Sequence, residues 1–390
     1  MRRPPPSPPA RPAEGRYRWV GTAGAAALLV AFWAAFWPRG KPEVAPPAPG
    51  AEAPAPGEAA PGEAARHRPS EEDVVPMPGC FRGLREFDRH ATLADLRAAI
   101  LRGGLDQPFA EYLRGRLAEL IGGAPERARA VLAWAKEASG AELEVLLGAI
   151  KDSAAVHDPG VAESLLATGE DKAAATDLRA AALDALETQH KLEPATMARL
   201  KAIALDDGAD APAWLATRTL GRVMKEDFEH GGSFEPYWRE LLAIGQTSRE
   251  TQVQLLALEM PSYADPVLGR ESIDALAQIM RTDPDRAVRE MAAHRLSVTK
   301  DPDKVLAIYR QAFPAERDEC VRWAIFRFTV RVAGAGALPL LAEFAAIDRR
   351  FKEDHQDFVT LYASGTTDFA RIWTGKEERH QCLGEEGEER

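Results

Sequence analysis

Cysteine is nearly absent. Cys80, Cys320 and Cys382 are the only three in 390 residues, and no CxxC occurs. That excludes a multi-bridge disulfide scaffold and a zinc ribbon. The thiols read as free or buried, with one bridge open to them if the domain lies in an oxidising compartment. Aromatics make up only 7% of the chain, and β-branched residues are few in most segments. No run in the main body alternates with period two. These shortages exclude sheet as the organising element, and abundant alanine favours helix.

Catalytic signatures are missing as well. There is no G-x-x-x-x-G-K-[ST] phosphate loop, and Ser233 in "HGGSFEP" lacks the G-x-S-x-G elbow. The eight histidines include no H-x-x-x-H or similarly tight pair. "EDHQDF" puts Asp354, His355 and Asp357 together, but side chains at i and i+1 diverge on a helix, and His380 with Cys382 would need outside ligands to hold a metal. Cys320 stands near Arg317 and Arg322, yet a thiol on a helix of this kind is expected to be buried. No cofactor, no metal and no catalytic residue are therefore expected.

Positive charge is outnumbered outside the N-terminus. Arg2, Arg3, Arg11, Arg16, Arg18, Arg39 and Lys41 face only Glu14 there, while the whole chain carries −11. The rest is strongly acidic, which excludes a general nucleic-acid binder.

Charge of either sign is lacking from Trp19 to Trp37, "WVGTAGAAALLVAFWAAFW". As a helix this run spans about 28 Å, close to the hydrocarbon thickness of a bilayer. Trp19, Trp33 and Trp37 fall near its ends, where indoles prefer the interface. Five arginines precede it, so the positive-inside bias keeps the N-terminus cytoplasmic. Phe36, Trp37 and Pro38 end the run without an A-x-A site, which favours an uncleaved anchor over a removed signal peptide.

The chain thus divides into a basic Pro-rich cytoplasmic tail (1–18), a transmembrane signal-anchor helix (19–37) and a Pro/Ala/Glu-rich linker (38–80). A helical body (81–374) and an acidic tail (375–390) follow. Linker and tail are expected to be disordered, because neither composition can bury a core. The expected location is a single pass in the inner (cytoplasmic) membrane, with the body periplasmic or otherwise extracytoplasmic.

What the body does have is repetition. In "TDPDRAVREMAAHRLSVTKDPDKV", Thr282 to Val305, Asp283 is expected to cap a helix and Pro284 to occupy its first position. Val288, Met291, Ala292 and Leu296 then share a face. Ile273, Leu276, Ala277 and Met280 mark a partner helix, and Asp301-Pro302 restarts the cycle. Leu178, Pro212, Val253, Val288 and Val321 are corresponding positions, ~33–41 residues apart, the range of stacked helical repeats. The longest interval contains "KEDFEHGGSFEP", Lys225 to Pro236, expected to be an inserted loop.

The second helix, written V-R-x-x-A-x-x-x-L, resembles that of a HEAT repeat. Val288, Arg289, Ala292 and Leu296 carry the likeness, as do Leu178, Arg179, Ala182 and Leu186, and Val321-Arg322 at its start. The Pro212 and Val253 units lack the arginine and join by spacing. The resemblance implies an all-α fold, an α-solenoid of about eight helical hairpins. It also implies that Asp177 with Arg179, Asp285 with Arg289, and Asp318 or Glu319 with Arg322 link neighbouring repeats.

Trp214, Trp238, Trp323, Phe326 and Phe328 stand at helical spacing and are mainly core candidates. Trp214 with Arg218, and Arg322 with Trp323, are the candidates for protein binding, since Trp and Arg dominate interface energetics. The function expected is a membrane-tethered protein–protein interaction scaffold with an unidentified protein partner and no nucleic acid. The alternative is a lyase or other enzyme on a HEAT-like scaffold, as in the HEAT-like bilin lyases.

Overall fold

The computed structural model describes residues 92–102, 105, 107–206, 210–260, 269–365 and 382. The tail 1–18, the apolar segment 19–37, the linker 38–80 and, Cys382 apart, the tail 375–390 lie outside them. The described residues are all-helical, without strands. The first eight helices are α1 (Leu93–Leu101), α2 (Gln107–Ile121), α3 (Pro125–Ala135), α4 (Gly140–Asp152), α5 (Pro159–Glu170), α6 (Thr176–Ala185), α7 (Pro194–Ala204) and α8 (Asp210–Glu229). The rest are α9 (Glu235–Thr247), α10 (Thr251–Glu259), α11 (Arg270–Thr282), α12 (Arg286–Leu296), α13 (Pro302–Ala315), α14 (Glu319–Ala333), α15 (Leu338–Ile347) and α16 (Lys352–Ala363).

Local chemistry sets the helix starts. Asp158, Asp285 and Asp318 each accept hydrogen bonds from two backbone N–H groups of the turn they open. Such a cap contributes about 1 kcal/mol. Asp301 caps α13 as its Asp-Pro start signal predicts. At α12 the cap is Asp285 and not Asp283. The Asp283 carboxylate instead accepts from the Asp285 N–H (2.9 Å) and from Gln254 Nε2 (3.1 Å). Asp285 also accepts from Thr251 Oγ1 at 3.1 Å, so its position ties α10 to α12. Pro284 therefore lies outside the helix.

The expected loop from Lys225 to Pro236 is shorter than its sequence suggests. Lys225 to Glu229 continue α8, supported by a Lys225–Glu229 pair at 3.7 Å. Gly231, at φ 85°, ends the helix, and the Gly232 N–H closes back on the Asp227 carbonyl at 2.8 Å.

The helices pack in two rows. α2 packs on α4, α4 on α6, α6 on α8, α8 on α10, α10 on α12 and α12 on α14. The second row runs α3, α5, α7, α9, α11, α13 and α15, each against the next. Chain neighbours such as α5–α6, α7–α8 and α11–α12 join the rows. Leu178, Val253, Val288 and Val321 are buried between them, and so is Pro212. Close approach is built in at two equivalent glycines. A methyl on Gly169 would lie 2.7 Å from Leu183, and one on Gly245 2.8 Å from Leu258.

The core is mainly aliphatic through α10, Tyr237 and Trp238 on α9 apart, and turns aromatic at the C-terminal end. There Phe313 stacks on Phe344 with centroids 4.1 Å apart, and Trp323 on Phe351 at 6.3 Å. Such pairs add about 0.5–1.5 kcal/mol each beyond area burial. Cys320, in the first turn of α14, forms a disulfide with Cys382 across 62 residues of sequence.

One described stretch, Glu319–Ile347, is long and apolar enough to cross a membrane by length and composition. It breaks at Gly334 (φ 54°), and Val321, Trp323, Phe326, Leu341 and Phe344 within it are core side chains. This stretch is a pair of core helices.

Candidate functional site

Helical register exposes one face of the even-numbered helices. Two and three residues beyond the buried reference positions stand Ala180 and Ala181 on α6, Trp214 and Leu215 on α8, Leu255 and Leu256 on α10, and Glu290 and Met291 on α12. All are half-buried or exposed, with Trp214 at 36%. A turn later come Asp184, Arg218, Glu259 and His294 in the same register. This partly exposed face therefore carries a band that is largely apolar, whose Leu215, Leu255, Leu256 and Met291 also pack against the core, beside a band of mixed charge. On α14 the corresponding Trp323, Ala324 and Arg327 are buried.

The charged band is cross-linked between successive helices. Lys151 Nζ lies 2.7 Å from Asp184 and 3.7 Å from Glu187. Arg218 reaches back to Glu187 at 2.7 Å and Asp184 at 3.8 Å. Burial lifts the Glu187 carboxyl above its usual range, opposed by Arg218 and Lys151. Arg114 and Asp152 extend the ladder toward α2 at 2.6 Å.

Beside this ladder lies a polar groove of about 650 Å³ whose lining includes Lys151, His157, Glu187, His190, Arg222 and Glu226. The imidazoles of His157 and His190 stack at 4.3 Å, inclined by 12°. His190 Nδ1 is 3.3 Å from Glu226 Oε1, and His230 Nδ1 is 2.8 Å from the Glu226 carbonyl. Burial, then neighbouring His190, hold the His157 pKa down. The Glu226 carbonyl raises that of His230. Among the described residues no group of three His, Cys, Asp or Glu is arranged to hold a metal ion. The groove offers stacked rings and both signs of charge to a polar ligand.

Farther along, burial lifts the Glu290 carboxyl to about 7 against the pull of Arg327 and Arg286. His294 stacks on Phe328 at 4.8 Å, and its Nε2 lies 2.7 Å from Arg331 Nη1. Burial, then Arg295, hold His294 well below the usual imidazole range, so it is the neutral acceptor of that bond. The raised Glu290 pKa has a fixed sign. The folded state holds a proton that the unfolded state has released, so stability falls as pH rises from the ordinary carboxylate range through about 7. Glu290→Gln is expected to flatten that part of a stability–pH profile from urea midpoints. An unchanged slope between pH 5 and 8 would contradict the assignment.

The residues singled out in sequence separate into two groups. Trp214 stays on the free face, with the Arg218 guanidinium 5.3 Å from its ring centroid. Trp323 is 1% exposed and offers no surface to a partner. Arg322 is bonded to Asp348 at 2.9 Å, so this pair is structural and not a binding anchor. The inter-repeat links also differ from the expected pairing. Arg289 meets Glu316 at 3.1 Å, beyond the end of α13, rather than Asp285, whose carboxylate already caps α12. Arg179 donates to the Gly169 carbonyl at 2.9 Å, and Asp177 stands exposed in the first turn of α6. Gln254, in the same register, donates to the Gly245 carbonyl at 3.2 Å.

Sequence reasoning passed over Lys151, Glu187, His157 and His190. The histidine spacing matches the repeat spacing, a signal hidden from a search for metal motifs, which looks only at close neighbours. Comparison of the chain with family models, curated proteins and solved structures finds no match in any of the three.

Proposed function

We propose that this protein is a membrane-tethered interaction scaffold whose helical body is a HEAT-like α-solenoid that binds a protein partner outside the cytoplasm. The observation that carries the reading is the register-matched free face. The same helical positions are half-buried or exposed on α6, α8, α10 and α12, while the residues that follow them, Ala182, Ala216, Ala257 and Ala292, are fully buried. A two-row array with nearest-neighbour contacts is how helical repeats generate a continuous binding surface.

Two further observations support the location. Trp19 to Trp37 is long and apolar enough to anchor the chain, and a Cys320–Cys382 bond belongs in an oxidising compartment. Tethering raises the local concentration of any partner held near the same membrane.

A photo-crosslinking residue at position 222, beside the polar groove, tests the reading in native membranes. Discrete adducts with one or a few extracytoplasmic proteins are expected. Only diffuse background would overturn it.

A further inference from the structure

We infer that His157, His190 and His230 form an acid-operated latch across three consecutive helix pairs, closed while the two stacked rings carry at most one charge and released when both are protonated.

The three imidazoles stand at equivalent places. His157 ends the short 3-10 turn after α4, His190 follows the turn after α6, and His230 follows α8. Those three helices pack in succession. Packed helix axes lie about 8–10 Å apart. The His157 and His190 ring centroids are only 4.3 Å apart and the rings are nearly parallel, so they lean together across the junction. His230 comes within 6.1 Å of His190 at 57°. The Glu226 carboxylate lies between them, 3.3 Å from His190 Nδ1 and 3.5 Å from His230 Nδ1. The fold holds the latch directly behind the rings. Gln189, next to His190, is buried, and its Nε2 donates to the carbonyl of Val156, next to His157, at 2.7 Å. A change in ring spacing therefore strains a buried bond between two helix pairs.

The neighbouring charges do not cancel a second proton. On α4, Lys151 is paired with Asp184 of α6 and with Glu187, and Asp152 with Arg114 of α2. On α8, Lys225 is paired with Glu229, and Arg222 also lines the groove. Helices α3 and α5 pack on the His157 turn as well. There Asp158 caps α5, and a methyl on Gly160 would lie 3.3 Å from the Arg129 guanidinium. The charges felt by the His157 ring are those of His190, which disfavours its protonation, and Glu226, which favours it. One imidazolium in the stack is thus balanced by Glu226. A second meets a like charge face to face, which in a water-facing site delays its protonation by about 0.7 pH units. Release also changes the groove. Its lining holds the cations Lys151, Arg222 and Lys225 against the carboxylates Asp152, Glu187, Glu226 and Glu229, so two added protons turn a slightly acidic surface basic.

The test uses the full chain in detergent micelles with labelled histidine, titrated by NMR from pH 8 to 5. The His157 signal is assigned by its loss in His157→Gln. His190→Gln is expected to raise the His157 midpoint by about 0.5–1 pH unit, and Glu226→Gln to lower it. Hydrogen exchange then reads the release. The Val156 and Gln189 backbone N–H groups are bonded within their own turns at 3.2 and 3.1 Å. Their protection factors in the wild type should fall at least about fivefold between pH 8 and pH 5, and should hold in His157→Gln, where no second charge can form. All three rings are exposed, so these variants are expected to fold. Circular dichroism checks this, and His157→Asn replaces any glutamine variant that does not. A His157 midpoint that moves by less than about 0.2 pH units in His190→Gln would overturn the inference. So would wild-type protection that does not change with pH, or an equal loss in the folded His157 variant. None of these readings involves a partner, so the scaffold reading stands or falls separately by the adducts at position 222.

Discussion

Replacing both Cys320 and Cys382 by serine is expected to destabilise the C-terminal helices by about 4 kcal/mol. The bond closes a loop of 62 residues, and loop-closure entropy of the unfolded chain gives that size. Cys320 opens α14, whose side chains hold the aromatic core, so the loss falls first on α13 to α16. Guanidinium unfolding of the double variant, with hydrogen exchange followed in α14, measures it. An unchanged midpoint and unchanged protection would show that the bridge is dispensable. Reducing agent added to the wild type should reproduce the variant.

The second large effect is expected at Arg289. Its side chain is 14% exposed, that of Glu316 is 12%, and they meet at 3.1 Å. Arg289→Ala leaves the Glu316 carboxylate in place without its cation, which costs about 3–5 kcal/mol in a buried pair. Replacing both, as Arg289→Met with Glu316→Leu, should recover most of the loss, because no charge is then stranded. Chemical denaturation across the full double-mutant cycle separates these cases. If the single and double variants lose stability alike, the pair contributes packing and no charge coupling. The Arg322–Asp348 pair repeats the arrangement one helix pair later. Arg350, and then Arg322, hold the Asp348 carboxyl well below its ordinary range. Its contribution is therefore complete above that range and is lost as pH falls through the depressed value.

The helical class and the repeat were legible because both depend on side-chain periodicity. Val253, Val288 and Val321 share one buried register, and spacing alone revealed it. The Asp301-Pro302 start could be read for the same local reason. The choice between Asp283 and Asp285 as cap could not, since Thr251 and Gln254 settle it from another helix. Arg289 and Arg322 were legible as linking residues, but their acids were not. Each acid stands beyond the following odd-numbered helix, where no local pattern points to it. Trp323 failed as a surface candidate because the register that exposes Trp214 on α8 is closed on α14. The extra turns of α8 were missed because two adjacent glycines suggested a loop, while Lys225 to Glu229 favour helix strongly enough to run up to them.

The two-row packing also sets how far a local fault can spread. Among the described residues, each helix presses mainly on those next to it in the chain and in its own row. A damaged pair of helices loosens its immediate companions and little else, and a whole pair can be gained or lost without redesigning the remainder. Each added pair lengthens the exposed strip by about one helix diameter. A lineage of such chains could then change the length of that strip by duplicating a short stretch of gene.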